Sequence, residues 1–79
     1  MLNLKNHERD FADVWQVFED VNSKTYIDNR EYDEERYVIF GIDYKGIVNV
    51  AVYTLRGENK RIISFRPANK KEMEMYYGN

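Results

Sequence analysis

Three runs of strand-forming residues follow one another with almost nothing between them: RYVIFGID, GIVNVAVYTL and KRIISFR, joined only by DYKG (Asp43 to Gly46) and RGEN. Parallel neighbours need a crossover of about a dozen residues or more, so these strands must pair antiparallel. Their flanks are equally readable. DFADVWQVFED repeats apolar residues at Phe11, Val14, Trp15 and Phe18, the spacing of a helix that buries one face, with Asp10 as its cap and Asp13 near the positive end of its dipole. NSKTYIDNR reads as a turn and a short strand over Lys24 to Asp28, and NREYDEERY as a polar connecting loop. NKKEMEMYY opens with Asn69 and carries Glu72 three residues on, a capping box, while Gly78 stands where a helix stops. The order helix, strand, loop, three strands, helix predicts an α+β fold: an antiparallel β-sheet meander with helices packed on one face.

At 79 residues, residues 1–79 have room for a single domain. A domain of that size buries only about 60% of its unfolded surface. The chain has no cysteine to staple it, and seven tyrosines, so its core is expected to be ring-rich, with Trp15 and Phe18 inside it. No apolar run reaches the roughly 18 residues that cross a membrane and no signal peptide is legible, which makes a cytoplasmic protein the expectation.

Net charge is −2, but it is unevenly placed. Residues 8–35 hold ten acids against three bases, net −7, and residues 56–71 hold six bases against Glu58, net +5. An evenly acidic protein repels nucleic acid, whereas a bipolar one offers phosphate a basic face. Each block also reads as plain solvated surface. The basic block carries Lys60, Arg61, Arg66, Lys70 and Lys71 along a strand and the helix after it.

Period-two geometry sorts these residues. Ile63 and Phe65 point one way along the last strand; Ile62, Ser64 and Arg66 point the other. With helices over the Ile63/Phe65 side, Ser64 and Arg66 lie on an open face beside Asn49, Ala51 or Tyr53. Arg61 has the parity of Ile63, and a bulge at the strand end would swing it round to the open face. Arginine supplies a bidentate fork for phosphate and tyrosine a stacking ring with a hydroxyl. The plainer role for such an arginine is to cover the sheet with its methylenes.

The order of residues resembles the BrnT family of bacterial toxins from about Asn3 to Tyr77. NLKNHERDFADVWQVF matches at Asn3, His7, Phe11, Val17 and Phe18; Asp28, Arg30, Glu34, Arg36 and Gly41 follow a middle pattern; YTLRGENKRIISFRPANKKEMEMYY carries the specific block, RIIS-x-R-x-A with a glutamate downstream. Asn6 and Glu8 stand where the family has lysine and glycine. The resemblance implies a RelE-like fold and the toxin component of a type II toxin–antitoxin module. It implies an endoribonuclease that cleaves RNA, inhibits translation and is held inactive by BrnA, a ribbon-helix-helix antitoxin that alone contacts DNA.

Metal-independent RNA cleavage needs a base for the 2′-hydroxyl, an acid for the leaving 5′ oxygen and fixed cations for the charge on phosphorus. His7, the one histidine, is the simplest acid or base, with Glu34 or Glu35 to orient it or act as the base. Arg36, Arg61 and Arg66 are candidates for the charge on phosphorus; Ser64 is a further donor, and Lys5, Tyr53 and Lys70 are expected to hold substrate. Plainer roles stand beside these: His7 as a helix-terminal residue among carboxylates, Glu34 and Glu35 as solvated loop, Glu72 as a cap only. One histidine and scattered carboxylates give no metal-ligand spacing, no cofactor is expected, and no nucleophile elbow or triad is present. Two other readings remain: a BrnT-like domain that lost catalysis and serves as a protein-binding or regulatory module, motivated by Asn6 and Glu8, and a small structural protein sharing the sheet.

Overall fold

In the computed structural model, which describes residues 13–28 and 35–78, the elements fall in the expected order: α1 (Val14–Glu19), β1 (Lys24–Asp28), β2 (Arg36–Ile42), β3 (Val48–Arg56), β4 (Asn59–Pro67) and α2 (Lys70–Tyr77). The strands form one antiparallel sheet in the order β1-β2-β3-β4, each beside its neighbour in sequence. Asp43 closes the first turn by accepting hydrogen bonds from the backbone N–H of Lys45 and Ile47, both at 2.9 Å, with Gly46 at a φ of 86°. Arg56 pairs with Asn59 across the second, where Gly57 takes a φ of 63° that only glycine adopts without strain.

The helices do not share a face, contrary to the sequence expectation. Val17 of α1 packs with Ile39, Ala51 and Tyr53, whereas Tyr76 of α2 packs with Phe40, Val48 and Val50. Ile39 and Phe40 are successive residues, as are Val50 and Ala51, so the two helices lie on opposite sides of the sheet. The cause is in the strands: β2 and β3 are apolar in nearly every position, and a strand buried on both faces needs two covers.

α1 is also rotated from its expected setting. Val17 is fully buried, Val14 and Phe18 pack beside it, and Trp15 is 46% exposed, not core. Gly41 explains the rotation. A Cβ there would sit 2.5 Å from Val17 Cγ1 and 2.8 Å from the Val17 carbonyl oxygen, so the absent side chain lets the helix backbone settle onto β2. Asp13 is the N-cap but makes no side-chain capping bond; Asp10 and Phe11 lie outside the described residues.

α2 has the predicted capping box, with Asn69 accepting from the Glu72 N–H and Glu72 accepting from the Asn69 N–H, and it ends at Gly78 in the left-handed region. Its far end is tied across the molecule. Asp20, just past α1, accepts from the Tyr76 hydroxyl and from the N–H groups of Ile42 and Asn22, while Lys24 Nζ donates to the Met75 carbonyl at 3.0 Å. Burial pushes the Asp20 carboxyl up, but those three donors outweigh it and hold it below its ordinary value. No helix of the described residues is long and apolar enough to cross a membrane.

Candidate nucleic-acid interface

β4 pairs with β3 in a register that slips once. Val52 faces Ser64 and Tyr53 faces Ile62, so Ile63 is an extra residue, a β-bulge. Upstream of the bulge parity is reversed. Ile62 joins Phe65 in the cluster beneath α1, and Arg61, opposite Thr54, comes to the same side as Ser64 and Arg66. The expectation for Arg61 is met by the register, but its neighbours differ from those expected. Ser64 and Arg66 stand opposite Val52 and Val50, on the α2 side of the sheet, not beside Asn49, Ala51 or Tyr53.

Three rows of side chains therefore cross this face. One runs Asp28, Arg36, Thr54, Arg61, with Thr54 beside Arg36 one step beyond the Tyr37–Tyr53 pair. The next runs Tyr26, Val38, Val52, Ser64, and the third Lys24, Phe40, Val50, Arg66. α2 covers the third row through Tyr76, and Ala68 packs at the same end. Beyond it, Arg61 and Ser64 are exposed, Tyr26 is 43% exposed, Arg36 is half-buried and Thr54 is buried. A cationic, hydroxyl-bearing strip thus flanks a short apolar row with a ring at its edge.

Arg66 is not free to act as a fork for phosphate. Its two terminal nitrogens each donate to one Glu72 oxygen at 2.8 Å, and Nη1 also reaches the Pro67 carbonyl at 3.2 Å. The Glu72 bond raises the guanidinium above its ordinary value, and the same bond lowers the Glu72 carboxyl. Glu72 therefore caps α2 and grips Arg66 together. The sequence shows the capping half of that role; the grip depends on a strand and a helix meeting at Pro67, which no local spacing announces.

Other expected residues fall elsewhere. Tyr53 is a correction: only 7% exposed, it stacks on Tyr37 and meets the edge of Phe18 on the α1 side, because its parity is that of Ala51. Burial raises its phenol. An exposed ring of the sheet on the arginine side is Tyr26, which the sequence does not announce because β1 cannot be registered against β2 across the loop. Lys70 is exposed in the first turn of α2, and Glu35 is exposed and accepts from the Tyr37 hydroxyl at 2.8 Å. Lys5, His7 and Glu34 lie outside the described residues. Among the described residues no group of three or more histidine, cysteine, aspartate or glutamate side chains is placed to hold a metal ion.

A family profile described as "Ribonuclease toxin, BrnT, of type II toxin-antitoxin system" matches residues 1–72, which takes in all four strands and the start of α2. No curated protein matches the chain. With a match over most of its length, the chain belongs to the BrnT family of ribonuclease toxins from type II toxin–antitoxin systems.

Proposed function

We propose that this chain is a working endoribonuclease that cleaves RNA without a metal and so inhibits translation in the cytoplasm, on a RelE-like arrangement of sheet and helices. The observation that carries this reading is the bulge at Ile63, which brings Arg61 onto the face that Arg36 and Ser64 share. The scissile phosphate sits over Arg61 and Ser64. Arg36 stabilises charge from the half-buried end of the same row, and Tyr26 offers a ring for a neighbouring base. In the reaction the 2′ oxygen attacks phosphorus as a base takes its proton, and the bond to the 5′ oxygen breaks as an acid protonates that oxygen. His7 and Glu34 are the groups suited to these transfers, with Lys5 and Lys70 as further cations for substrate. A ribbon-helix-helix antitoxin restrains the activity and supplies any contact with DNA.

The test is purified protein with end-labelled RNA in a chelator, scored for 2′,3′-cyclic phosphate ends. Cleavage is expected, and Arg61→Ala should lower its rate about 10²-fold, the usual loss for one transition-state donor. Wild-type rates in a folded Arg61→Ala protein would remove the site assignment. Absence of cleavage by a protein that still binds its antitoxin would favour the non-catalytic module.

A further inference from the structure

Along β3, Val48, Val50, Val52 and Thr54 share one face, a β-branched series in which only the last member carries a hydroxyl. Valine has the same branched shape and forms strands as well, so the fold does not ask for oxygen at this position. The hydroxyl is costly where it stands. Thr54 is 1% exposed, and its Oγ1 has no hydrogen-bond partner among the described residues. A hydroxyl buried in that state has given up its bonds to water and gained none in return. Its neighbours set position 54 apart. Arg61 stands directly opposite on β4 and Arg36 beside it on β2, and no other member of the series has an arginine on both sides.

Residues directly opposite in an antiparallel pair have Cβ atoms about 5 Å apart, which puts the Nε–H of an arginine within reach of a facing hydroxyl. The two exposed arginines of β4 therefore have different acceptors at hand. Arg66 gives both terminal nitrogens to the Glu72 carboxylate, which cancels its charge and occupies its fork. Among the described residues no carboxylate pairs with Arg61 in that way. A neutral acceptor takes one N–H, fixes the direction of the side chain, and leaves the charge and the terminal fork for phosphate. We infer, resting on the RNA site proposed above, that Thr54 is a positioning residue for Arg61: with a phosphodiester on the strip, Arg61 Nε–H donates to Thr54 Oγ1 and the terminal nitrogens face the phosphate oxygens. Thr54 is too deeply buried to touch RNA itself. It acts by selecting one rotamer of a long, exposed side chain, so less entropy is lost when phosphate binds.

The experiment compares wild type, Thr54→Val and Thr54→Ser by NMR, following solvent exchange of the Arg61 Nε–H as a 2′-O-methyl RNA oligonucleotide is added; that RNA has no free 2′-hydroxyl and stays intact. Exchange should slow at least about tenfold in wild type and Thr54→Ser, and stay fast in Thr54→Val, the weight of one hydrogen bond to a charged group. With ordinary RNA, Thr54→Val should lower kcat by about the same factor, Thr54→Ser should restore it, and Thr54→Val should add less than about twofold to Arg61→Ala. The urea midpoint of Thr54→Val should match or exceed that of wild type, because valine removes a buried hydroxyl that has no bond to lose. Activity and stability thus move apart, which a structural threonine would not allow. Equal exchange in wild type and Thr54→Val overturns the inference, as does a wild-type kcat in Thr54→Val or a lower urea midpoint, which would mean that the hydroxyl is already partnered. Thr54-dependent protection in a protein that leaves ordinary RNA uncut would sustain the positioning role and sink the nuclease reading instead.

Discussion

The two faces of the sheet are held by different means. On the α1 side the contact is close: Val17 on Gly41, with Tyr37 stacked on Tyr53 and Phe18 edge-on to it. On the α2 side a smaller cluster of Phe40, Val48, Val50 and Tyr76 is supplemented by polar fasteners at both ends of the helix. The first packs α1 over the middle of its face; the second secures a helix at one end and leaves Arg61 and Ser64 exposed beyond it. Both faces thus carry a buried cluster, and hydrogen bonds fix the helix whose cluster is the smaller.

The sharpest way to break the contrast is Gly41→Ala. A methyl at 2.5 Å from Val17 Cγ1 and 2.8 Å from backbone must lift α1 off the sheet. Destabilisation of about 3 kcal/mol is expected, the upper range for overpacking. For a domain this size it would lower Tm by roughly 15 °C or more. A thermal midpoint within a few degrees of wild type would mean that α1 does not rest on that contact. Asp20→Ala attacks the other face and should cost less, about 2 kcal/mol, because it strips acceptors from the Tyr76 hydroxyl and the Ile42 N–H. Urea denaturation ranks the pair; a larger loss from Asp20→Ala would invert the picture of one packed and one fastened face.

How much of this is visible in the chain follows from which interactions are local. The turns at Asp43 and Gly57, the capping box at Asn69 and Glu72, and the stop at Gly78 are written in neighbouring residues and were all readable. Period-two alternation placed Ser64 and Arg66 on one side of β4, and the parity of Arg61 was recognised as needing a bulge. The count of covered faces was missed, although the unbroken apolar run of β2 carried the signal that both sides are buried. Trp15 reads as core in the sequence because periodicity gives the width of a helix's apolar stripe and not its rotation, which here is set by Gly41, 22 residues past the end of the helix. Tyr53 was sent to the wrong face because the side of β3 that meets Ser64 depends on a register no single strand contains.

A smaller effect lies at high pH. Burial and then the bond to Asp20 push the Tyr76 phenol from its ordinary 10.0 to about 12. A group whose folded value is raised contributes stability that is fully present below pH 10 and is lost as pH rises through its folded value. At pH 11 the loss is about 1 kcal/mol. Tyr76→Phe, though weaker at neutral pH, should therefore show a shallower fall in urea midpoint between pH 10 and 12. Parallel curves would separate Tyr76 from the fastening of α2.

The smallest expected effect is the most telling about the site. Arg66 is 52% exposed, so its ion pair with Glu72 is screened, and a double-mutant cycle of Arg66→Ala and Glu72→Gln should give a coupling of only about 0.5 kcal/mol. Glu72 is held below its ordinary 4.5 by the Arg66 bond, which sets the sign of the pH dependence. The coupling is present above about pH 4.5 and fades as acid protonates the carboxylate through its lower folded value. For catalysis the cycle separates two roles that the arginines share on paper. With both terminal nitrogens committed to Glu72, Arg66 acts through the placement of α2, so Arg66→Ala and Glu72→Gln should lower cleavage modestly and by similar, non-additive amounts. Arg61→Ala should act on kcat by about 10² whichever residue stands at 72. If Arg66→Ala proves as damaging as Arg61→Ala while Glu72→Gln is silent or raises activity, the grip is a restraint that substrate releases, and Arg66 moves back among the groups that touch phosphate.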